Sequence, residues 1–80
     1  MTNEQILQSL TTVFRDVFDN PALVLTYETT ADDIEDWDSY NHINLIVAAE
    51  ARFGIKFLTS EIESLKNVGE FVDLIYSKTA

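Results

Sequence analysis

Ser39 is the residue of this sequence whose position best suits the attachment of a covalently bound group. It follows an acidic segment, residues 32–38, and precedes an apolar segment whose hydrophobic spacing is helical. The first turn of a helix presents free backbone N–H groups and partial positive charge, and both favour an anion. A serine hydroxyl placed directly after Asp38 is therefore a suitable point for attaching a phosphodiester.

Two other kinds of site share residues with this segment, and we expect neither. Asp38, Ser39 and His42 have the side chains of a hydrolase triad, but a triad also needs an oriented base and an oxyanion hole. A chain of 80 residues with two glycines has no evident loop for an oxyanion hole. A calcium loop beginning at Asp36 would have tyrosine at its fifth position and asparagine at its sixth, where an oxygen ligand and glycine are required. The sequence therefore predicts a protein that is not an enzyme and that has no specific metal site.

Hydrophobic spacing and capping residues predict the first and last helices. The first covers residues 2–18, with Thr2 and Gln5 at capping-box spacing, and ends at residues 19–21 because the residue before a proline disfavours helical backbone. The last begins near Asn67 and Glu70, which have the same spacing. Its expected buried stripe consists of Val68, Phe71, Val72 and Ile75.

A second helix is predicted from Ser39 to Phe53, with Asp38 as its N-cap and Gly54 as the left-handed residue that ends it. We expect its buried face to consist of Tyr40, Ile43, Ile46, Val47 and Phe53. The opposite face is expected to consist of Asn41, Asn44 and Arg52, with Leu45, Ala48 and Ala49 beside them. Apolar residues on an outer face are typical of a helix that docks partner proteins.

Residues 19–38 are predicted to form a long loop. Residues 23–30 are β-prone, but the chain offers no partner strand, and a lone strand leaves its backbone unpaired. Thr30 and Asp33 have the spacing of a cap for a brief helical turn, and Trp37 is expected to pack the loop against the helices. The residues expected to fix the rest of the loop are Leu23, Leu25, Tyr27 and Ile34.

A short third helix is predicted near residues 61–64, where Ser60 and Glu63 have capping spacing. Three longer helices and one short helix, with a long loop between the first two, predict an all-α fold. We expect a small four-helix bundle that forms a single domain over residues 1–80.

Composition limits the classes of partner. The chain has 14 acidic and 5 basic residues and a net charge of −9, which opposes nucleic-acid binding and favours association with basic protein surfaces. It has no cysteine, which fits a reducing compartment. We recognise no secretory signal and no apolar segment of the roughly 20 residues that a membrane span needs. We expect a cytoplasmic monomer without membrane insertion.

The sequence resembles the acyl carrier protein family along most of its length. The specific parts of the resemblance are Asp38-Ser39 and Phe53-Gly54-Ile55 at the family's spacing, followed by Val68-Gly69 at the start of the last helix. The resemblance implies that Ser39 carries 4'-phosphopantetheine, with Asp38 as the motif's aspartate and helix cap. It further implies that a phosphopantetheinyl transferase attaches this arm, and that the arm holds acyl groups as thioesters.

The resemblance also implies partner enzymes for acyl loading and acyl transfer, with basic surface patches. We expect six residues to contact them, namely Asp36, Asp38, Tyr40, His42, Leu45 and Ala49.

The chain departs from the family on its second helix. Tyr40 replaces the leucine commonly found after the serine, and Asn41 and Asn44 stand where carriers of fatty acid synthesis usually present acids. These differences favour a discrete carrier of a specialised pathway, serving polyketides, surface glycolipids or unusual acyl groups. A stand-alone peptidyl carrier protein is the first alternative, because it shares the fold and the serine chemistry. A small helical protein-interaction module without an arm is the second.

Overall fold

The computed structural model describes residues 1–79, and these form four helices joined by loops. The helices are α1 (Asn3–Val17), α2 (Ser39–Phe53), α3 (Thr59–Glu63) and α4 (Val68–Thr79), and a short 3-10 helix, Ala31–Asp33, lies in the long loop before α2. No β-strand occurs among the described residues. The predicted all-α fold, a small four-helix bundle with a long first loop, is confirmed.

The ends of the longer helices follow the predicted capping residues. Gln5 N donates to Thr2 Oγ1, and Thr2 N donates in return to Gln5 Oε1, which completes a capping box. Gly54 ends α2 in the left-handed conformation, with φ of 66°. Glu70 N donates to Asn67 Oδ1 at the start of α4. Capping residues that can be identified in the sequence therefore determine where α1, α2 and α4 begin and where α2 ends.

Phe14 of α1 lies at the centre of the core and is fully buried. Its ring makes edge-on contacts with Phe18, Trp37 and Phe71, at centroid distances of 5.7, 5.1 and 6.4 Å. The other fully buried large side chains are Ile6, Leu10, Leu45, Val68, Val72, Ile75 and Phe71. The predicted buried stripe of α4 is confirmed, and Trp37 packs the loop against the helices as predicted.

The predicted orientation of α2 is wrong. Leu45 and Ala49, which we expected on the outer face, are fully buried. Tyr40, Ile43 and Val47, which we expected in the core, are 76%, 56% and 60% exposed. Within the predicted buried face, Ile46 is buried and Phe53 is partly buried.

Apolar residues occur almost all round α2, which explains this error. The stripe that faces the core has helical spacing and consists of His42, Leu45, Ile46, Ala49 and Phe53. This stripe includes a polar residue, His42. His42 is tolerated there because both of its ring nitrogens have partners.

The long loop is attached to both α1 and α4. Leu23 and Leu25 are buried as predicted, and Arg15 Nε donates to the carbonyl of Leu23 at 2.7 Å. Gly69 N donates to the carbonyl of Tyr27 at 2.8 Å, so closely that a β-carbon on Gly69 would lie 2.9 Å from that oxygen. Tyr27 therefore holds the loop through its backbone, while its side chain, predicted to pack inward, is 39% exposed. Ile34 is partly buried, as expected.

The short helix α3 begins two residues earlier than predicted, and its cap differs. Leu58 N donates to Glu61 Oε1 at 2.8 Å, so Glu61 caps the helix in place of the expected Ser60 and Glu63 pair. Lys78 of α4 forms an ion pair with Glu61 at 2.9 Å. The Leu58 backbone hydrogen bond and then Lys78 lower the pKa of the Glu61 carboxyl below its usual 4.5. This pair joins α3 to the end of α4.

Among residues 1–79, no helix has the length and apolar character needed to cross a membrane.

Candidate functional site

Ser39 is the first residue of α2, and its side chain is exposed to solvent. Asp38 precedes it as the N-cap, and Asp38 Oδ1 accepts a hydrogen bond from Asn41 N at 2.8 Å. The cap leaves the backbone N–H groups of Ser39 and Tyr40 without an acceptor in the described part of the chain. The Ser39 hydroxyl is thus held beside two free donors at the positive end of a 15-residue helix.

Successive turns in the preceding loop fix the position of Ser39. Trp37 N donates to the carbonyl of Ile34 at 3.1 Å, and Asp38 N donates to that of Asp36 at 3.0 Å. Asn41 Nδ2 reaches back to the same Asp36 carbonyl at 2.8 Å. The acidic loop is therefore folded onto the first turn of α2, with the hydroxyl at their junction.

A groove open to solvent lies beside Ser39, between the start of α2 and α3, and has a volume of about 660 Å³. This volume is in the range of about 300–1,000 Å³ that is usual for small-molecule sites. Its lining is partly apolar and consists of Ala31, Trp37, Asp38, Ser39, His42, Ile43, Thr59, Ile62, Glu63, Leu65 and Lys66. The groove places apolar side chains next to the hydroxyl, as a group with a polar attachment end and an apolar body requires.

The charges around Ser39 are mainly negative. The acidic residues of the preceding loop, Asp32, Asp33, Glu35, Asp36 and Asp38, are all exposed. Among the described residues that line the groove, the charged ones are Lys66, Asp38 and Glu63. The groups at this site that favour an anion are therefore the free N–H groups at the start of α2 and the ammonium group of Lys66.

His42 is half-buried, and its ring has contacts on both sides. Trp37 Nε1 donates to His42 Nδ1 at 3.0 Å, and His42 Nε2 lies 3.3 Å from the carbonyl oxygen of Ile62. The two aromatic rings stack with centroids 6.0 Å apart. His42 therefore joins the loop, α2 and α3 at the side of the groove.

The structure separates the six predicted partner-contact residues into three groups. Asp36, Asp38 and Tyr40 are exposed next to Ser39, while His42 is half-buried. Leu45 and Ala49 are fully buried in contact with the core, so the prediction that they contact partners is wrong.

Sequence reasoning missed the residues that form the opposite wall of the groove. Thr59, Ile62, Leu65 and Lys66 come from α3 and the segment after it, and they line the groove together with Ser39. Their distance along the chain from Ser39 left no signal in a single sequence. Sequence reasoning also placed Ile43 and Val47 in the core, whereas both side chains are exposed. The spacing of the apolar residues on α2 fits an exposed stripe equally well.

Several curated proteins are similar to this chain along their whole length. An acyl carrier protein of Acidothermus cellulolyticus is 33% identical over 79 residues, which are 99% of this chain and 94% of that protein. An acyl carrier protein of Renibacterium salmoninarum is 32% identical over 80 residues, 99% of this chain and 98% of that protein. One of Thermosynechococcus vestitus is 31% identical over 81 residues, 100% of this chain and 99% of that protein. No family model matches the chain.

A solved structure has the same fold at higher identity. The solution NMR structure of a holo acyl carrier protein from Geobacter metallireducens is 51% identical to this chain and superposes with a TM-score of 0.85. The superposition covers 90% of this chain and 83% of that one.

Proposed function

This chain belongs to the acyl carrier protein family, and on that premise we propose that it carries acyl groups on a 4'-phosphopantetheine arm attached to Ser39. The observation that carries the assignment of the residue is the exposed Ser39 hydroxyl on the first turn of α2, directly after its cap Asp38 and beside the groove. When bound, the arm supplies a flexible thiol for an acyl group to a chain that has no cysteine of its own.

The protein's part in this function is attachment and presentation. Attachment would exchange the phosphoanhydride bond of coenzyme A for an ester bond between the Ser39 oxygen and the arm's phosphate, with loss of the hydroxyl proton and release of adenosine 3',5'-bisphosphate. The free N–H groups at the start of α2 would favour the negative charge of the phosphodiester. Asp38 keeps the first turn of the helix in place by accepting from Asn41 N. Attachment at one site raises the effective concentration of the acyl group at each enzyme that binds the carrier. No bond-making step at the acyl group needs a residue of this chain, so the proposal describes a carrier and not an enzyme.

Incubation with coenzyme A and a phosphopantetheinyl transferase tests the carrier function. We expect intact-mass measurement to show the addition of one phosphopantetheine group, and the new thiol to accept an acyl group from an acyl-loading enzyme. A folded protein that gains no arm under conditions that modify another acyl carrier protein would contradict the proposal and support an interaction module. Loading by an amino-acid-activating enzyme alone would support the peptidyl carrier alternative.

We propose a docking stripe on α2 that consists of Tyr40, Ile43 and Val47. All three side chains are apolar over most of their surface and exposed, and they lie on the solvent side of the helix that begins at Ser39. The exposed acids Asp36 and Asp38 stand at the Ser39 end of this stripe. The matching partner surface is an apolar patch with basic residues along the edge that meets the acidic loop.

Val47→Ser should lower kcat/KM for arm transfer or acyl transfer by about 5- to 30-fold, since truncating a central interface residue costs roughly 1–2 kcal/mol. Val24→Ser is the matched control, because Val24 is 72% exposed and lies in the loop before α2. Asp36→Asn should mainly lower the association rate and its dependence on salt. Equal kcat/KM values for Val47→Ser and Val24→Ser would contradict the proposed docking stripe.

We further propose that the pathway is a specialised one rather than housekeeping fatty acid synthesis. Glu50 is the one carboxylate within α2, and it accepts a hydrogen bond from Phe57 N at 2.9 Å, so it is engaged in holding the segment after the helix. The exposed side of α2 thus carries apolar and uncharged side chains and the basic Arg52 where fatty acid synthesis carriers usually present acids. Examples of such specialised pathways are those that serve polyketides, surface glycolipids or unusual acyl groups.

Turnover of the acyl-loaded protein by a fatty acid synthesis ketosynthase tests the pathway proposal. We expect a lower kcat/KM than that of a housekeeping carrier, and partial recovery in Asn44→Glu, whose side chain is exposed on α2. Asn41 is less suitable for this substitution because its Nδ2 donates to the Asp36 carbonyl. Turnover equal to that of the housekeeping carrier, unchanged in the variant, would contradict the proposal.

We also propose that residues 1–80 form one carrier domain, and that the protein is a monomer located in the cytoplasm.

A further inference from the structure

The groove beside Ser39 ends at a layer of partly buried side chains above the core. Trp37, Ile62 and Leu65 line the groove and also pack against the buried residues. His42 lines the same groove and is half-buried. None of the fully buried side chains in the described part of the chain lines it. These four residues therefore separate the groove from the core, and we call them the floor of the groove.

Two hydrogen bonds join the floor across the loop, α2 and α3. Trp37 Nε1 donates to His42 Nδ1 at 3.0 Å, and His42 Nε2 lies 3.3 Å from the Ile62 carbonyl oxygen. Because an indole N–H only donates, the neutral imidazole has its proton on Nε2 and donates it to that carbonyl. An acyl chain that passed between α2 and α3 would break these bonds and leave polar groups unpaired against hydrocarbon, which is unfavourable.

Aromatic rings fill the space directly below the floor. The Trp37 ring meets the fully buried Phe14 ring edge-on at 5.1 Å, and Phe14 contacts Phe71 in the same way at 6.4 Å. Phe71 in turn contacts the Phe57 ring at 5.8 Å. Protein interiors are packed as densely as organic crystals, and inserting extra methylene groups into them forces side chains to move. A group that entered the core from the groove would therefore have to displace these rings.

We propose that the Trp37–His42 pair closes the core to the acyl group, so that this carrier holds its cargo outside the helical bundle. The proposal rests on the proposed function, since it concerns an acyl group on an arm at Ser39. A carrier that does not enclose its cargo sets no limit on the length, branching or polarity of the acyl group. The closed floor is thus compatible with branched or polar acyl groups as well as linear ones.

A linear octanoyl group is a suitable probe, because it is apolar and narrow enough to enter a core that is open. Octanoyl-coenzyme A and a phosphopantetheinyl transferase load it together with the arm, and intact-mass measurement verifies the product. We expect the NMR methyl signals of the buried residues Leu45, Val72 and Ile75 to be the same in the octanoyl and holo forms. Changes should be confined to residues at the groove, such as Ile43.

Variants of the floor should admit the octanoyl group. His42→Ala removes the ring between Trp37 and Ile62, so octanoylation should shift the same buried methyl signals. It should also raise the melting midpoint by about 4 °C or more, because several methylene groups are then buried in a small domain. Trp37→Leu, which keeps an apolar side chain near Phe14, is the second variant, and circular dichroism verifies that each one folds. Thr59→Ala is the matched control, because Thr59 lines the groove outside the floor and is exposed, and it should behave as wild type.

Shifts of the buried methyl signals on octanoylation of the wild-type protein would overturn the proposal. Buried signals that stay unchanged in both folded floor variants would overturn it as well, because the Trp37–His42 pair would then not be what closes the core. A protein that gains no octanoyl arm contradicts the proposed function instead. The mass measurement, made before the NMR comparison, separates these two failures.

Discussion

Leu45→Ala should lower the free energy of unfolding by about 2–5 kcal/mol, the range found for large-to-small substitutions in protein cores. Leu45 is fully buried on the side of α2 that faces the core. The matched control is Val47→Ala two residues later, where the side chain is 60% exposed and the change should be within about 0.5 kcal/mol. Urea unfolding of the two variants, followed by circular dichroism, measures both values.

The size of this effect is large for a domain of 80 residues. Native domains are stable by roughly 5–15 kcal/mol, and small domains bury a smaller fraction of their surface. We therefore expect Leu45→Ala to be partly unfolded at physiological temperature and Val47→Ala to remain folded. If Val47→Ala were the more destabilising of the two, α2 would be rotated to the orientation that the sequence alone favours, and the docking stripe would be buried.

Ser39→Ala should abolish attachment of phosphopantetheine altogether. The serine oxygen is the atom that bonds to the phosphate in the proposed function, and alanine has none. The fold should be nearly unaffected, because the Ser39 side chain is exposed and the helix is capped by Asp38. The control is Ser60→Ala, which removes another exposed hydroxyl in the first turn of a helix, α3. It should accept the arm as wild type does.

Features that depend on residues close in the chain were predictable from the sequence. The capping pairs that start α1 and α4, the Asp38 cap of α2 and the left-handed Gly54 all occur at the expected positions. Each depends on an interaction between residues no more than a few positions apart, and the residue types involved have few other roles.

The orientation of α2 required information that the sequence does not contain. Its apolar residues cover more than one face, so hydrophobic periodicity fits two orientations, and packing against α1 decides between them. Hydrogen bonds with Trp37 and with the Ile62 carbonyl satisfy both ring nitrogens of His42, which allows this polar side chain to be half-buried. A partner 20 residues away in the chain gives no local signal.

The start of α3 was missed for a related reason. Ser60 and Glu63 have the spacing of a cap, but Glu61 is the residue that accepts from Leu58 N and pairs with Lys78 of α4. The observed pair, Leu58 and Glu61, lies two positions before the predicted one, and its leucine has no capping side chain. The ion pair between Glu61 and Lys78 is a tertiary contact that local spacing does not reveal. The shape of the groove beside Ser39 depends on the position of α3, because its second wall consists of α3 and the residues that follow it.

The identity of the residue that carries the arm is tested most directly by mapping the modification after incubation with coenzyme A and a phosphopantetheinyl transferase. Cleavage after Arg15 and Arg52 gives a tryptic peptide, residues 16–52, in which Ser39 is the only serine. We predict that tandem mass spectrometry finds the added phosphopantetheine on this peptide, with fragment ions that place it on Ser39. Fragment ions that place the group on any other residue, or a modified Ser39→Ala variant, would contradict the account.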